Sequence, residues 1–216
     1  MCQHSRRGDS APPLCAKNPG VTGPDEPKDH RALMLEAMEL EADGQRRLLA
    51  GETSAGRRAM GEAADRYRDS WARAPQRAHG RGVGMLKAAV IAGDGIEEAE
   101  HVRRTIGEEG DSASSWYALG IAGLVDGDDD LARRAAAAMH DGGEAFARAA
   151  ETIAALADQD DDAYAAALRA VLADFEQRTE HLTGVAFADT AHMLELLAER
   201  RGMAVRPASE LLPPVD

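Results

Sequence analysis

Three residues near the C-terminus carry side chains that could bind a metal ion together. Asp189 and His192 are three residues apart, which places them on one face of a helix, and His181 precedes that helix. A metal held by these side chains could serve a hydrolase, but a metal site needs three or four converging ligands. Because the helix face that carries them has the composition of a solvated surface, we predict no metal and no catalytic residue. A metal-dependent hydrolase that uses these three residues is the alternative.

Two other patterns imitate cofactor sites but lack residues that such sites require. Gly80, Gly82 and Gly84 resemble the start of a dinucleotide-binding loop. However, Met85 occupies the position at which the fingerprint requires its third glycine, and no strand precedes these residues. They fit a helix start that packs closely on its neighbour. The acidic runs 126–130 and 158–162 begin like calcium loops but lack the central glycine and the final glutamate. We therefore predict acidic helix caps at these runs and no cofactor.

The composition narrows the class of partner. The chain has 216 residues and a formal net charge of −13, which disfavours nucleic acid because phosphate binding draws on Lys and Arg. No stretch approaches the roughly 18 consecutive apolar residues of a membrane helix, so we expect no membrane partner. Only two cysteines, Cys2 and Cys15, are present, and they cannot form a disulfide framework. We expect a cytoplasmic protein whose partner is a protein or a peptide.

Apolar periodicity divides the chain into a tail and one helical domain. Residues 1–28 are rich in Pro, Gly and Ser without periodicity, which is typical of a disordered tail, and Val21 within it is a candidate translation start. From residue 29 to 205 apolar residues recur with the helical period, and no segment alternates as a strand does. We predict one all-α domain of about nine helices in antiparallel hairpins over 29–205, and an extended C-terminal tail over 206–216.

One of these hairpins resembles a tetratricopeptide repeat. Trp116, Leu119 and Gly120 are followed by a turn at Gly127 and by Ala132, at spacings that match the family pattern. In such a repeat the Trp and the Leu fill the space between the paired helices. The first glycine permits a close approach of two helices, and the second permits the tight turn.

A second partial match, at Ala63, Tyr67 and Pro75, resembles the second helix and the terminator of the same motif. Together the two matches cover about half of the chain. The resemblance implies a right-handed α-solenoid of helical hairpins, and an irregular helical bundle is the alternative.

The tetratricopeptide resemblance also implies where a partner would bind. Stacked hairpins present the first helix of each pair to a concave groove, which holds an extended peptide or a partner helix. On this basis Tyr117, Ile121 and Leu124 would face the groove from the fifth helix, and Arg81 and Lys87 from the third. The alternative is that the third and seventh helices cover this apolar stripe of the fifth helix. We therefore expect a protein–protein interaction scaffold.

The C-terminus carries a fainter resemblance. The segments 188–190, 197–202 and 209–213 look like the end of one immunity-protein family from polymorphic toxin systems, and like the tail of helical proteins from high-GC bacteria. This resemblance implies an alternative function, in which an acidic protein neutralises a toxin. A net charge of −13 would steer the chain towards basic targets.

Overall fold

The computed structural model describes residues 29–214, and every regular element in that range is helical. The nine α-helices are α1 His30–Leu49, α2 Thr53–Arg73, α3 Gly80–Ala92, α4 Ile96–Ile106, α5 Ala113–Asp126, α6 Asp129–Met139, α7 Glu144–Asp158, α8 Asp161–Glu176 and α9 Asp189–Arg201. With no strand in the described range, the all-α prediction is confirmed. No helix in the described range is both long and apolar enough to cross a membrane. The predictions for residues 1–28, including Val21 and both cysteines, lie outside the described residues.

Side-chain caps fix several of the helix starts. Asp29 accepts hydrogen bonds from two backbone amides at the start of α1, and Ser112 forms a capping box with Ser115 at the start of α5. Asp128 caps α6 and Asp160 caps α8 in the same way. The acidic runs that imitate calcium loops therefore supply helix caps, as predicted, because carboxylates satisfy the free amides and favour the positive end of the helix dipole.

Each helix packs against the next one in the chain, and α5 also packs against α3 and α7. Ile121 and Leu124, on the apolar stripe of α5, are buried in the core. The last helix, α9, packs against α3, α7 and α8. The arrangement of the helices as a tetratricopeptide-like solenoid stays a prediction.

The residues that carry the repeat resemblance occupy different environments. Leu119 is fully buried, and Gly127 has a φ of +75°, so the expected core position and the expected tight turn are both present. A Cβ at Gly120 would lie 3.4 Å from the Cβ of Ala135 on α6, which agrees with close packing. Trp116, however, is only partly buried and lies beside the loop before α5.

The glycines at the start of α3 allow this helix to lie directly on α2. A Cβ at Gly82 would lie 2.9 Å from the ring of Trp71, and a Cβ at Gly84 would lie 3.1 Å from the ring of Tyr67. Side chains at these positions would push the two helices apart, since interiors are packed without spare volume. The glycine pattern thus serves helix packing, as predicted.

The chain after α9 returns to the domain. Gly202 ends the helix with a φ of +75°, and residues 203–214 contain no helix. The backbone amide of Ala188 donates to the carbonyl of Leu211 at 2.9 Å. Glu195 accepts hydrogen bonds from two backbone amides at the beginning of this segment. The predicted C-terminal tail is therefore without helix over its described part, but it is docked on α9.

We expect opposite stability changes from two glycine-to-alanine substitutions in helix interiors. A Cβ at Gly123 would lie 2.9 Å from the backbone nitrogen of Ala132 and 3.0 Å from the carbonyl oxygen of Asp128. Because backbone must move, Gly123→Ala should destabilise the protein by about 1–3 kcal/mol. At Gly61 a Cβ meets only Ala92, at 3.7 Å, so Gly61→Ala should stabilise it by about 0.5–1 kcal/mol. Urea unfolding followed by circular dichroism measures both values, and equal signs would contradict the packing described for α5 and α6.

Candidate functional site

A cavity of about 310 Å³ lies among α1, α3, α5, α7, α8 and the start of α9. The segment 177–188, which joins α8 to α9, contributes another wall. We call this space the aromatic cavity. Its apolar wall includes Val83, Phe146, Val171, Phe175, Val185 and Phe187, and its polar lining includes Glu41, Gln45, Lys87, Ser114, Tyr117, Arg148, Asp174, Arg178, His181, Thr183, Asp189 and Thr190.

Aromatic side chains converge on this one place. Aromatic residues make up only 4% of the chain, yet all three of its phenylalanines line the aromatic cavity. Phe146 from α7 meets Tyr117 from α5 edge to face, with ring centroids 6.1 Å apart. Phe175 from α8 stacks with His181 and carries the guanidinium of Arg178 at 3.8 Å from its ring centroid. Such edge-to-face and cation–π geometries stabilise the rings that form the wall.

A buried ion pair forms the polar end of the aromatic cavity. The Lys87 ammonium on α3 donates to the Asp189 carboxylate at the start of α9, at 2.8 Å. The two side chains retain only 15% and 17% of their exposure. Burial lowers the pKa of Lys87, but the charge and the hydrogen bond of Asp189, together with Tyr117 and Glu41, outweigh burial and hold that pKa above its ordinary value. Lys87 therefore remains a cation, and it lies 6.0 Å from the centroid of the Tyr117 ring.

A second polar network joins α1 to α2 and to the segment before α9. Glu41 is 4% exposed and accepts hydrogen bonds from the Tyr67 hydroxyl at 2.6 Å and from the Gln45 amide at 3.2 Å. The Gln45 oxygen in turn accepts from the Thr183 hydroxyl at 2.5 Å. Burial raises the pKa of Glu41 to about 7, the Asp189 charge adds to this rise, and Tyr67 and Lys87 oppose it. Glu41 is therefore poised to change charge near neutral pH.

Two buried polar atoms at the aromatic cavity have no hydrogen-bond partner among the described residues. They are the Tyr117 hydroxyl and Nδ1 of His181. Tyr117 is only 7% exposed, and burial raises the pKa of its hydroxyl. Thr190 lies close enough to lower that pKa, but the two hydroxyls do not meet in hydrogen-bond geometry. Because a buried polar atom without a partner costs roughly 1–3 kcal/mol, each of these two atoms needs an explanation.

The opposite side of the aromatic cavity carries a cluster of two arginines around one acid. Asp174 on α8 accepts from Arg148 at 2.6 Å and from Arg178 at 2.5 Å. Arg148 also pairs with the exposed carboxylate of Glu144 at 3.5 Å, so the cluster next to Phe175 holds two guanidinium groups and two carboxylates.

The structure brings together two of the five residues that the sequence assigned to a groove. Lys87 and Tyr117 both line the aromatic cavity. Ile121 and Leu124 do not line it, and both are buried in the core. Arg81 does not line it either, since its guanidinium bonds Ser70 at 2.8 Å and His30 at 3.0 Å on the α1–α2 side.

The residues of the alternative metal site are separated in the fold. His181 and Asp189 line the aromatic cavity, whereas His192 lies at a different surface, against the docked C-terminal segment. Asp189 is held by Lys87, and burial together with the Arg57 charge lowers the pKa of His192 to about 4. In the described part of the chain, no three His, Cys, Asp or Glu side chains are placed to share a metal ion.

Sequence reasoning missed Glu41, Gln45 and the convergence of the phenylalanines. One available signal was the position of Glu41 and Gln45 on the inward stripe of α1, between the buried Ala37 and Leu48. Polar residues at buried helical positions need buried partners, and such partners often belong to a site. The phenylalanines are far apart in sequence, so only the packing of the helices reveals that they meet.

Comparison with protein-family models, with curated proteins and with solved structures finds no match to this chain. The tetratricopeptide and immunity-protein resemblances therefore stay hypotheses.

Proposed function

We propose that this chain is a binding protein and that its ligand site is the aromatic cavity. The observation that carries this proposal is the convergence of all three phenylalanines on one cavity. Ligand sites are typically concave and apolar, with a few placed polar groups. Here those groups include the Tyr117 hydroxyl, which is buried without a partner among residues 29–214. An occupant that bonds this hydroxyl would account for an otherwise costly burial.

The size of the aromatic cavity limits its occupant. An engineered apolar cavity of roughly 150 Å³ binds benzene, and the aromatic cavity has about twice that volume. It therefore fits one aromatic group with a short polar arm. Because α9 packs against α3 and α7, less room remains in the predicted groove for an extended peptide. We thus narrow the scaffold hypothesis to a protein that holds one aromatic group, either as a free molecule or on a partner chain.

A titration with indole tests the proposal. Indole has the shape and the aromatic surface that the phenylalanine wall would accommodate, and it carries no charge that could bind elsewhere. We expect saturable binding with a Kd of about 0.1–1 mM, the range that a small ligand of this size usually reaches. Isothermal titration calorimetry on the full chain measures this value.

Two tryptophan variants locate the binding. Ala145 is exposed and lines the mouth of the aromatic cavity, so Ala145→Trp should fill the entrance and weaken indole binding at least ten-fold without unfolding the protein. Ala72 is equally exposed on α2 and does not line the aromatic cavity, so Ala72→Trp should bind as the wild type does. No saturable binding by the wild type, or equal binding by both variants, would remove the aromatic cavity from this account.

A further inference from the structure

We infer that the ligand of the aromatic cavity is a small aromatic carboxylate. Its ring would lie against the phenylalanine wall, and its carboxylate would lie at the polar end and accept hydrogen bonds from Lys87 and Tyr117. This inference rests on the proposed function and adds the charge of the ligand to it.

The acidic side chains that line the aromatic cavity already have donors. Asp189 accepts from the Lys87 ammonium and from the backbone amide of Thr190. Glu41 uses one oxygen for Gln45 and the other for Tyr67. The third acid, Asp174, forms ion pairs with Arg148 and Arg178. A cationic ligand would have to compete with these bonds, so the carboxylates of the protein do not favour an amine.

The groups that remain free at the polar end are donors. A lysine ammonium has three hydrogens, and the one hydrogen bond of Lys87 to the described residues goes to Asp189. The Tyr117 hydroxyl has no partner among those residues, and the Lys87 ammonium lies 6.0 Å from the centroid of the same ring. Two hydrogens on a buried cation and one on a buried phenol call for an acceptor, and a carboxylate supplies two oxygens.

The charges around the aromatic cavity agree with an anionic ligand. Three cations line it, Lys87, Arg148 and Arg178, against three acids. One of these acids, Glu41, has a pKa of about 7, so it can take up a proton when a second negative charge arrives. With Glu41 protonated the lining carries a net positive charge, and a carboxylate enters without facing an unpaired like charge.

Three ligands of one shape test the inference. Indole-3-acetate, indole-3-acetamide and tryptamine carry the same ring with an anionic, a neutral and a cationic arm. We expect indole-3-acetate to bind at least ten-fold tighter than indole-3-acetamide at pH 7, and tryptamine to bind most weakly. A peptide that ends in tryptophan presents the same ring near a carboxylate. Tighter binding of that peptide than of indole-3-acetate would place the carboxylate at the end of a partner chain, and weaker binding would place it on a free molecule.

The matched variant is Tyr117→Phe, which removes one oxygen and keeps the ring. Because that hydroxyl is unpaired in the absence of a ligand, the variant should be as stable as the wild type or more stable. We expect it to lose about ten-fold in affinity for indole-3-acetate and less for indole, which has no carboxylate to accept a hydrogen bond from the hydroxyl. Equal binding of the acetate and the acetamide, or tightest binding of tryptamine, would overturn the inference while leaving indole binding and the proposed function intact. Failure of indole and of all its derivatives to bind would overturn both.

Discussion

Replacing Lys87 with methionine should lower the free energy of unfolding by about 3 kcal/mol. Methionine keeps most of the length and the apolar stem of the side chain, so the change removes mainly the ammonium. Asp189, only 17% exposed, then retains a negative charge with no cation bonded to it. Removing one partner of a buried ion pair costs roughly 3–5 kcal/mol of stability, because the charge of the other partner is left without compensation. The residual exposure of Asp189 places the expected value at the lower end.

Two controls separate the buried charge from other effects of this substitution. The double variant Lys87→Met with Asp189→Asn leaves no unpaired charge, so it should recover most of the lost stability. Arg66→Met breaks ion pairs at a guanidinium that is 44% exposed, and it should cost less than about 1 kcal/mol. Urea unfolding with linear extrapolation measures all three variants. A loss for Lys87→Met as small as that for Arg66→Met would show that the pair between α3 and α9 does not support the fold.

The second large effect is a dependence of the free energy of unfolding on pH, which Glu41 introduces. Its pKa rises from 4.5 in the unfolded chain to about 7 in the folded protein, so the folded state binds the proton more tightly. The stability that this group contributes is therefore fully present below about pH 4.5 and is lost as the pH rises to about 7. Since one pKa unit corresponds to about 1.4 kcal/mol, the loss amounts to roughly 3 kcal/mol.

Glu41→Gln should remove this dependence, because glutamine keeps the shape and cannot ionise. Relative to the wild type, the variant should gain about 3 kcal/mol in stability between pH 4.5 and pH 7 and show no further relative change above it. Glu39→Gln, on the exposed side of α1, controls for the loss of one negative charge. Urea unfolding of both variants and of the wild type across this pH range measures the differences in free energy of unfolding. A constant difference between Glu41→Gln and the wild type would mean that Glu41 ionises in the fold as readily as in water.

Local signals in the sequence predicted the helices well. Residues 29–205 repeat their apolar positions with the helical period, and the caps at Asp29, Ser112 and Asp128 are short-range features that the sequence contains in full. Gly202 likewise ends the last helix, with a φ of +75°. These features depend on neighbours within four residues, so they can be predicted without knowledge of the tertiary structure.

The site could be predicted only in part, because its members are distant in sequence. Lys87 and Tyr117 were predicted from a family resemblance, and they meet in the aromatic cavity. The partner of Lys87 is Asp189, 102 residues away, and no local pattern signals such a pair. Ile121 differed from expectation for a related reason. Its stripe on α5 fits both a groove and a core, and in the folded protein Ile121 is fully buried.

The most direct test of the central claim is a set of intermolecular nuclear Overhauser effects between indole and the valine methyl groups of the protein. Val83, Val171 and Val185 come from α3, from α8 and from the segment before α9, and all three line the aromatic cavity. We predict contacts from the indole protons to the methyl groups of all three valines in one complex, and none to Val102, which is fully buried on α4 and does not line the aromatic cavity. Saturable binding of indole without contacts to these three valines would contradict the account.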